Sequence, residues 1–103
     1  AGEFVFCSGQ IPLDPASGEI VGNSASEQAE QALKNVEGVL AAAGLSTKNV
    51  VKTTVFLADI ADFAAVNEVY AKHFNKPFPA RSALQVGALP KGAKVEIEVI
   101  AKK

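Results

Sequence analysis

The chain has one arginine, one histidine, one cysteine and one tyrosine, and neither methionine nor tryptophan. A lone cysteine, Cys7, cannot close an intrachain disulfide, and with His73 as the lone histidine a metal site of cysteine and histidine is nearly impossible. This cysteine usage fits a reducing, cytoplasmic compartment. There is no basic excess: the formal net charge is -1. No lysine-rich stretch alternates with aromatics as a phosphate-tracking surface requires, so nucleic acid is not an expected partner. No apolar run approaches the roughly 20 residues of a spanning helix, and the chain as it stands carries no signal-peptide pattern, so no membrane partner is expected. A glycine-rich phosphate loop, a Gly-x-Ser-x-Gly elbow and metal-ligand motifs are missing as well.

What is present suffices for one globular domain. The 103 residues are 49% hydrophobic, enough to bury a modest core. Phe4 to Ser8 reads as a short strand stopped by Gly9 and Pro12, and Asp14 to Gly18 has turn composition, after which Ile20 and Val21 resume a short strand. Ser24 and Glu27 stand at capping-box spacing. The helix they open carries Ala29, Ala32, Leu33, Val36, Val39, Leu40 and Ala43 at helical spacing, with Gly44 as its terminator. Val50 to Leu57 is a β-branched strand, and Asp59 or Asp62 caps a second helix through about Phe74, with Phe63, Val66, Tyr70 and Phe74 as its buried stripe. Pro77 and Pro79 stop it. Strands follow from about Ala80 to Val86 and Lys94 to Ala101.

This order of strand, helix, strand, helix, strand, strand predicts an α+β domain, a mixed sheet with both helices on one face. Alternation in Val50 to Leu57 puts Val51, Val55 and Leu57 on one side and Val50 and Phe56 on the other, so both faces are apolar. One helical layer covers only one of them. A second copy of the chain is the expected cover, which predicts a homo-oligomer.

The single arginine, Arg81, lies where a loop becomes a strand, in a chain that otherwise uses lysine. Its planar fork can hold a carboxylate through two parallel hydrogen bonds; a solvated or ion-paired strand-end arginine is the plainer alternative. In the last strand Val95, Ile97, Val99 and Ala101 alternate with Lys94, Glu96, Glu98 and Ile100, so Glu96 or Glu98 can share a cleft with Arg81 and take a proton from water, or simply face solvent. Asn67 sits between Phe63 and Tyr70 on the inward helix face, where its amide either ties down backbone or points into a ligand site. Ser8 ends a strand beside Gly9 and either binds a ligand or stabilises the turn. Cys7 reads as a small buried hydrophobe and His73 as a surface residue.

Ser8-Gly9-Gln10-Ile11-Pro12-Leu13, Val51-Lys52-Thr53-Thr54-Val55-Phe56-Leu57, Asp62-Phe63-Ala64-Ala65-Val66-Asn67, Pro79-Ala80-Arg81-Ser82 and Lys94-Val95-Glu96-Ile97-Glu98, in this order, closely resemble the Rid (YjgF) family over essentially the whole chain. The resemblance implies a chorismate-mutase-like fold and homotrimers with ligand clefts between subunits. It also implies hydrolysis of the enamine/imine products 2-iminobutanoate and 2-iminopropanoate without any cofactor. By the same resemblance Arg81 clamps the substrate carboxylate and Glu96 positions and activates water. Ser8, Gly9 and Asn67 are cleft residues, and Ala83 stands where some members carry cysteine, a position that main-chain groups can serve. Family chains usually begin some twenty residues earlier, with a strand whose tyrosine packs on the ligand. That strand is expected to be missing here, and a targeting peptide could have preceded it, which leaves an organelle open.

Two other functions compete with the deaminase. Some relatives carry single-strand endoribonuclease activity that inhibits translation, a role the acidic balance of this chain disfavours. A non-catalytic binding or chaperone-like trimer would use the same clefts and apolar surface, and the pairing of Arg81 with Glu96 favours catalysis over it.

Overall fold

A computed structural model describes residues 2–103. Its strands are β1 (Phe4–Gln10), β2 (Val50–Leu57), β3 (Ala80–Gln85) and β4 (Val95–Lys102), and its helices are α1 (Ala25–Ala42) and α2 (Phe63–Tyr70). The strands form one sheet in the order β1-β4-β2-β3. β4 runs antiparallel to both of its neighbours and β2 runs parallel to β3. The sheet is therefore mixed, and β1 and β3 are its two edges. Both helices bury their apolar stripes against one face: Leu33, Val36 and Leu40 from α1 and Val66 and Tyr70 from α2 meet Val55, Leu57, Val95, Ile97 and Val99 in a single core. This is the two-layer α+β architecture that the element order predicts.

Local chemistry accounts for α1. Ser24 Oγ accepts from the Glu27 N–H at 3.1 Å, and the Glu27 carboxylate accepts from the Asn23 and Ser24 N–H groups, satisfying donors that an uncapped helix leaves orphaned. Those backbone bonds hold the Glu27 carboxyl below its ordinary pKa. Gln28, almost fully buried, ties two loops together: its Nε2 donates to Gly22 C=O and its Oε1 accepts from the Lys94 N–H.

Several sequence expectations need correction. β1 continues through Gly9 to Gln10 because the register with β4 shifts between Cys7 and Gln10, a bulge that lets the strand pass the glycine instead of stopping there. Ile20 makes only an isolated bridge to Leu13. A register shift between Val50 and Lys52 exchanges the faces expected for the first two residues of β2 alone: Val50 joins Val55 and Leu57 in the core, and Val51 is 42% exposed. α2 stops at Tyr70, and at Lys72 and His73 the chain tightens to three-residue hydrogen bonds. Asp59 rather than Asp62 supplies a cap, its carboxylate accepting from the Ala61 N–H at the short turn before α2.

His73 is not a surface residue, for its side chain is only 11% exposed. Nδ1 lies 2.9 Å from a Glu37 carboxylate oxygen and Nε2 lies 3.0 Å from one of Glu30. Burial alone would lower its pKa, but the hydrogen bonds to Glu37 and Glu30 and their charges outweigh burial and raise it.

Candidate active site

The sequence-nominated residues fall into two groups. Arg81 opposes Thr53 across β2 and β3, so both point to the helical face of the sheet. There the Arg81 guanidinium lies over two rings of α2, its carbon 5.2 Å from the Phe63 centroid and 4.8 Å from that of Tyr70. Arg81 Nη1 donates to Asn67 Oδ1. Phe63, Asn67 and Tyr70 recur at i, i+4 and i+7, which stacks them along one helix stripe, and β3 carries Arg81 directly alongside that stripe. Among the described residues no carboxylate pairs with Arg81. The guanidinium opens on a cavity of about 380 Å³ whose walls include Ala71, Phe74 and Phe78.

Ala83 lies two residues further along β3, on the same face, packed against the core. Val86, just beyond the strand, donates its N–H to Leu57 C=O, so alternation turns the Ala83 N–H and C=O away from β2 toward the open edge of the sheet. An incoming ligand could meet them there.

The second group lies at the other edge and on the other face. Glu96 opposes Phe56 on β2 and alternates with the buried Val95 and Ile97, which directs it away from the helices. Gly9, in the bulge of β1, comes so close that a Cβ built on it would stand 1.9 Å from Glu96 Oε2 and 2.8 Å from Cδ. The backbone of Gly9 is not left-handed, so a side chain there would act by displacing the Glu96 carboxylate and not by straining the chain. Ser8 is exposed beside it, lining a shallow hollow with Phe6, Glu98 and Ile100. Sequence alternation allowed Arg81 and Glu96 to share a cleft; within one protomer they cannot, because β3 and β4 residues of their parity face opposite sides. Acting together therefore requires the two residues to come from different copies of the chain.

Some neighbours of the site carry no sequence signal of that role. Tyr70 and Phe63 read as core residues, and only the β2–β3 register reveals them as the platform under Arg81. Thr53 is fully buried, and its Oγ1 lies 2.8 Å from the Tyr70 hydroxyl. Burial pushes the Tyr70 phenol up, with the Thr53 hydrogen bond and the Arg81 charge acting in the opposite sense. Cys7 is buried and burial pushes its thiol up, the opposite of what an activated nucleophile requires. Among the described residues no group of three or more His, Cys, Asp or Glu side chains could hold a metal ion. A larger and more open hollow of about 520 Å³ lies between α1 and the loop after β1, with Asp14 and Lys34 as its charged groups; it lacks the forked cation.

The profile of the endoribonuclease L-PSP family matches residues 1–103. A human protein named 2-iminobutanoate/2-iminopropanoate deaminase is 56% identical over 97 residues, 94% of this chain and 71% of the human one. The crystal structure of RidA from an Antarctic Psychrobacter species superposes with a TM-score of 0.95 at 45% identity, covering 100% of this chain and 83% of that one. Escherichia coli TdcF, solved with bound serine, gives a TM-score of 0.90 at 46% identity over 99% of this chain and 82% of TdcF. Profile, sequence and fold agree along the length of the molecule: the chain belongs to the endoribonuclease L-PSP (Rid) family.

Proposed function

We propose that this protein hydrolyses reactive 2-imino and enamino acids, 2-iminobutanoate and 2-iminopropanoate among them, to 2-oxo acids and ammonia. The observation that carries this reading is the state of Arg81: a forked cation with no carboxylate partner among the described residues, laid across two rings beside a largely apolar cavity. A small organic acid supplies what is missing there, a carboxylate for the fork and a short aliphatic chain for the apolar wall. The 56% identity to a human protein named as such a deaminase supports the same chemistry.

In the mechanism, Arg81 grips the carboxylate while the open edge of β3 at Ala83 and the Asn67 amide border the ligand. Ser8, Gly9 and Glu96 come from a neighbouring copy, in a trimer, to close the other side. Glu96 takes a proton from water as the water oxygen attacks C2, and the C=N electron pair moves to nitrogen, which takes a proton from solvent. The resulting carbinolamine collapses: Glu96 returns its proton to nitrogen, the C–N bond breaks as the C=O bond forms, the hydroxyl proton passes to solvent, and ammonia leaves. Positioning with one acid/base group supplies roughly 100- to 10,000-fold acceleration, and no step needs a cofactor.

The test makes 2-iminobutanoate in place from threonine with a dehydratase and follows 2-oxobutanoate. Added protein should accelerate its appearance, and Glu96→Gln should lower turnover about 100-fold or more while still binding ligand. No acceleration by an intact oligomer would reject the reading.

A further inference from the structure

Arg81 is exposed on an edge strand, where a long side chain normally samples many rotamers, yet its guanidinium lies across two rings and donates to an amide. The deeper ring is itself fixed. The Tyr70 hydroxyl is bonded to Thr53 Oγ1 at 2.8 Å, and its ring stacks on Phe74 with centroids 4.5 Å apart. Tyr70 is 6% exposed and Thr53 0%. A hydroxyl pair is an unexpected presence among Val55, Leu57 and Val66, because each buried hydroxyl needs the other as its partner. The pair fixes the tilt of the ring, and the ring face then attracts and flattens the cation above it.

We infer that Tyr70, anchored by Thr53, is a positioning residue that orders the Arg81 fork before a carboxylate arrives. Binding of the anion then costs less side-chain freedom than it would for an unsupported arginine. Phe63 and Asn67 complete the frame, one as a second ring and the other as an acceptor that fixes one edge of the fork. The inference rests on the carboxylate-clamp reading of Arg81.

Because Arg81 is the only arginine, protein carrying isotope-labelled arginine gives a single side-chain Nε–Hε resonance. The ring faces should hold that resonance upfield of free arginine, and 2-oxobutanoate, the product and so a carboxylate that undergoes no further hydrolysis, should shift it on titration. In Tyr70→Leu the resonance should return toward the free position, the Kd for 2-oxobutanoate should weaken about tenfold, and the kinetic loss should fall on KM rather than kcat. The double variant Tyr70→Phe/Thr53→Val keeps the ring and removes both hydroxyls together, so the ring loses its anchor: the upfield shift should fall part of the way to the free position and the Kd should weaken about three- to fivefold. It carries the test alone if Tyr70→Leu does not fold: a folded double variant with the wild-type shift and Kd would overturn the anchoring of the ring by Thr53. A wild-type resonance indifferent to 2-oxobutanoate would sink the clamp and this inference with it. A wild-type response that folded Tyr70→Leu shares unchanged would sink the inference alone.

Discussion

One N–H of the Arg81 guanidinium is committed to Asn67, and the rest of the fork remains for an anion. Lysine at this position would keep the charge but lose the second parallel hydrogen bond and the flat contact with Phe63 and Tyr70. Arg81→Lys is therefore expected to lower kcat/KM for 2-iminobutanoate about 10- to 100-fold, mostly through KM, which steady-state kinetics would show. Gly9→Ala strikes at the group proposed to activate water. Its methyl group would land on the Glu96 carboxylate, and the flexible carboxylate end would swing aside at little cost in stability. Turnover should fall about 10- to 100-fold with the melting temperature close to wild type. At this scale the sequence was partly legible. Rarity marked Arg81, and an amide on an apolar helix stripe marked Asn67. Tyr70 and Thr53 stayed hidden, because an aromatic and a β-branched residue look like ordinary core until the β2–β3 register brings them under the guanidinium.

Short-range chemistry made α1 readable: Ser24 and Glu27 lie three residues apart, and their reciprocal bonds depend on nothing distant. The end of α2 was not readable in the same way, because His73 takes its meaning from Glu30 and Glu37 on the other helix. With a carboxylate on each ring nitrogen, only the imidazolium can donate to both. Lys34 and Lys72 lie near enough to Glu30 to favour its charged form, but the His73 hydrogen bond is the main cause of its lowered pKa. A raised histidine pKa contributes stability that is full below the unfolded value near 6.5 and is lost as pH rises through the folded value. The lowered pKa of Glu30 works at the acid end, its contribution present above about 4.3 and lost as pH falls through the folded value. The clasp should thus be strongest between roughly pH 4.5 and 6.5. Thermal melts of wild type and His73→Gln should differ by about 2–8 °C near pH 6 and converge as the pH is raised. An unchanging difference would remove the imidazolium from the account. The bulges in β1 and β2 were equally hidden from pattern reading, since one extra residue reverses which side chains face the core.

At the scale of the molecule, the face of the sheet away from the helices leaves Phe6 64% and Val51 42% exposed, with Leu84 at 41% on the neighbouring edge strand. An apolar sheet face of this kind is normally covered. That the second face is apolar could be read from β2 alone, although the assignment of Val50 and Val51 to faces was reversed. The separation of the two half-sites could not be read, because it depends on the strand order that sends β1 and β3 to opposite edges. If catalysis needs Arg81 from one copy and Glu96 from another, specific activity should fall on dilution in step with dissociation, followed by light scattering at the same concentrations.

Complementation of half-sites tests that requirement most directly. Arg81→Ala and Glu96→Gln, each inactive alone, would be co-expressed with different tags and purified as mixed oligomers. If each site draws its arginine and its glutamate from different copies, random mixing leaves about one site in four intact, and about a quarter of the wild-type specific activity should return. Mixed oligomers no more active than the two parents would contradict the account.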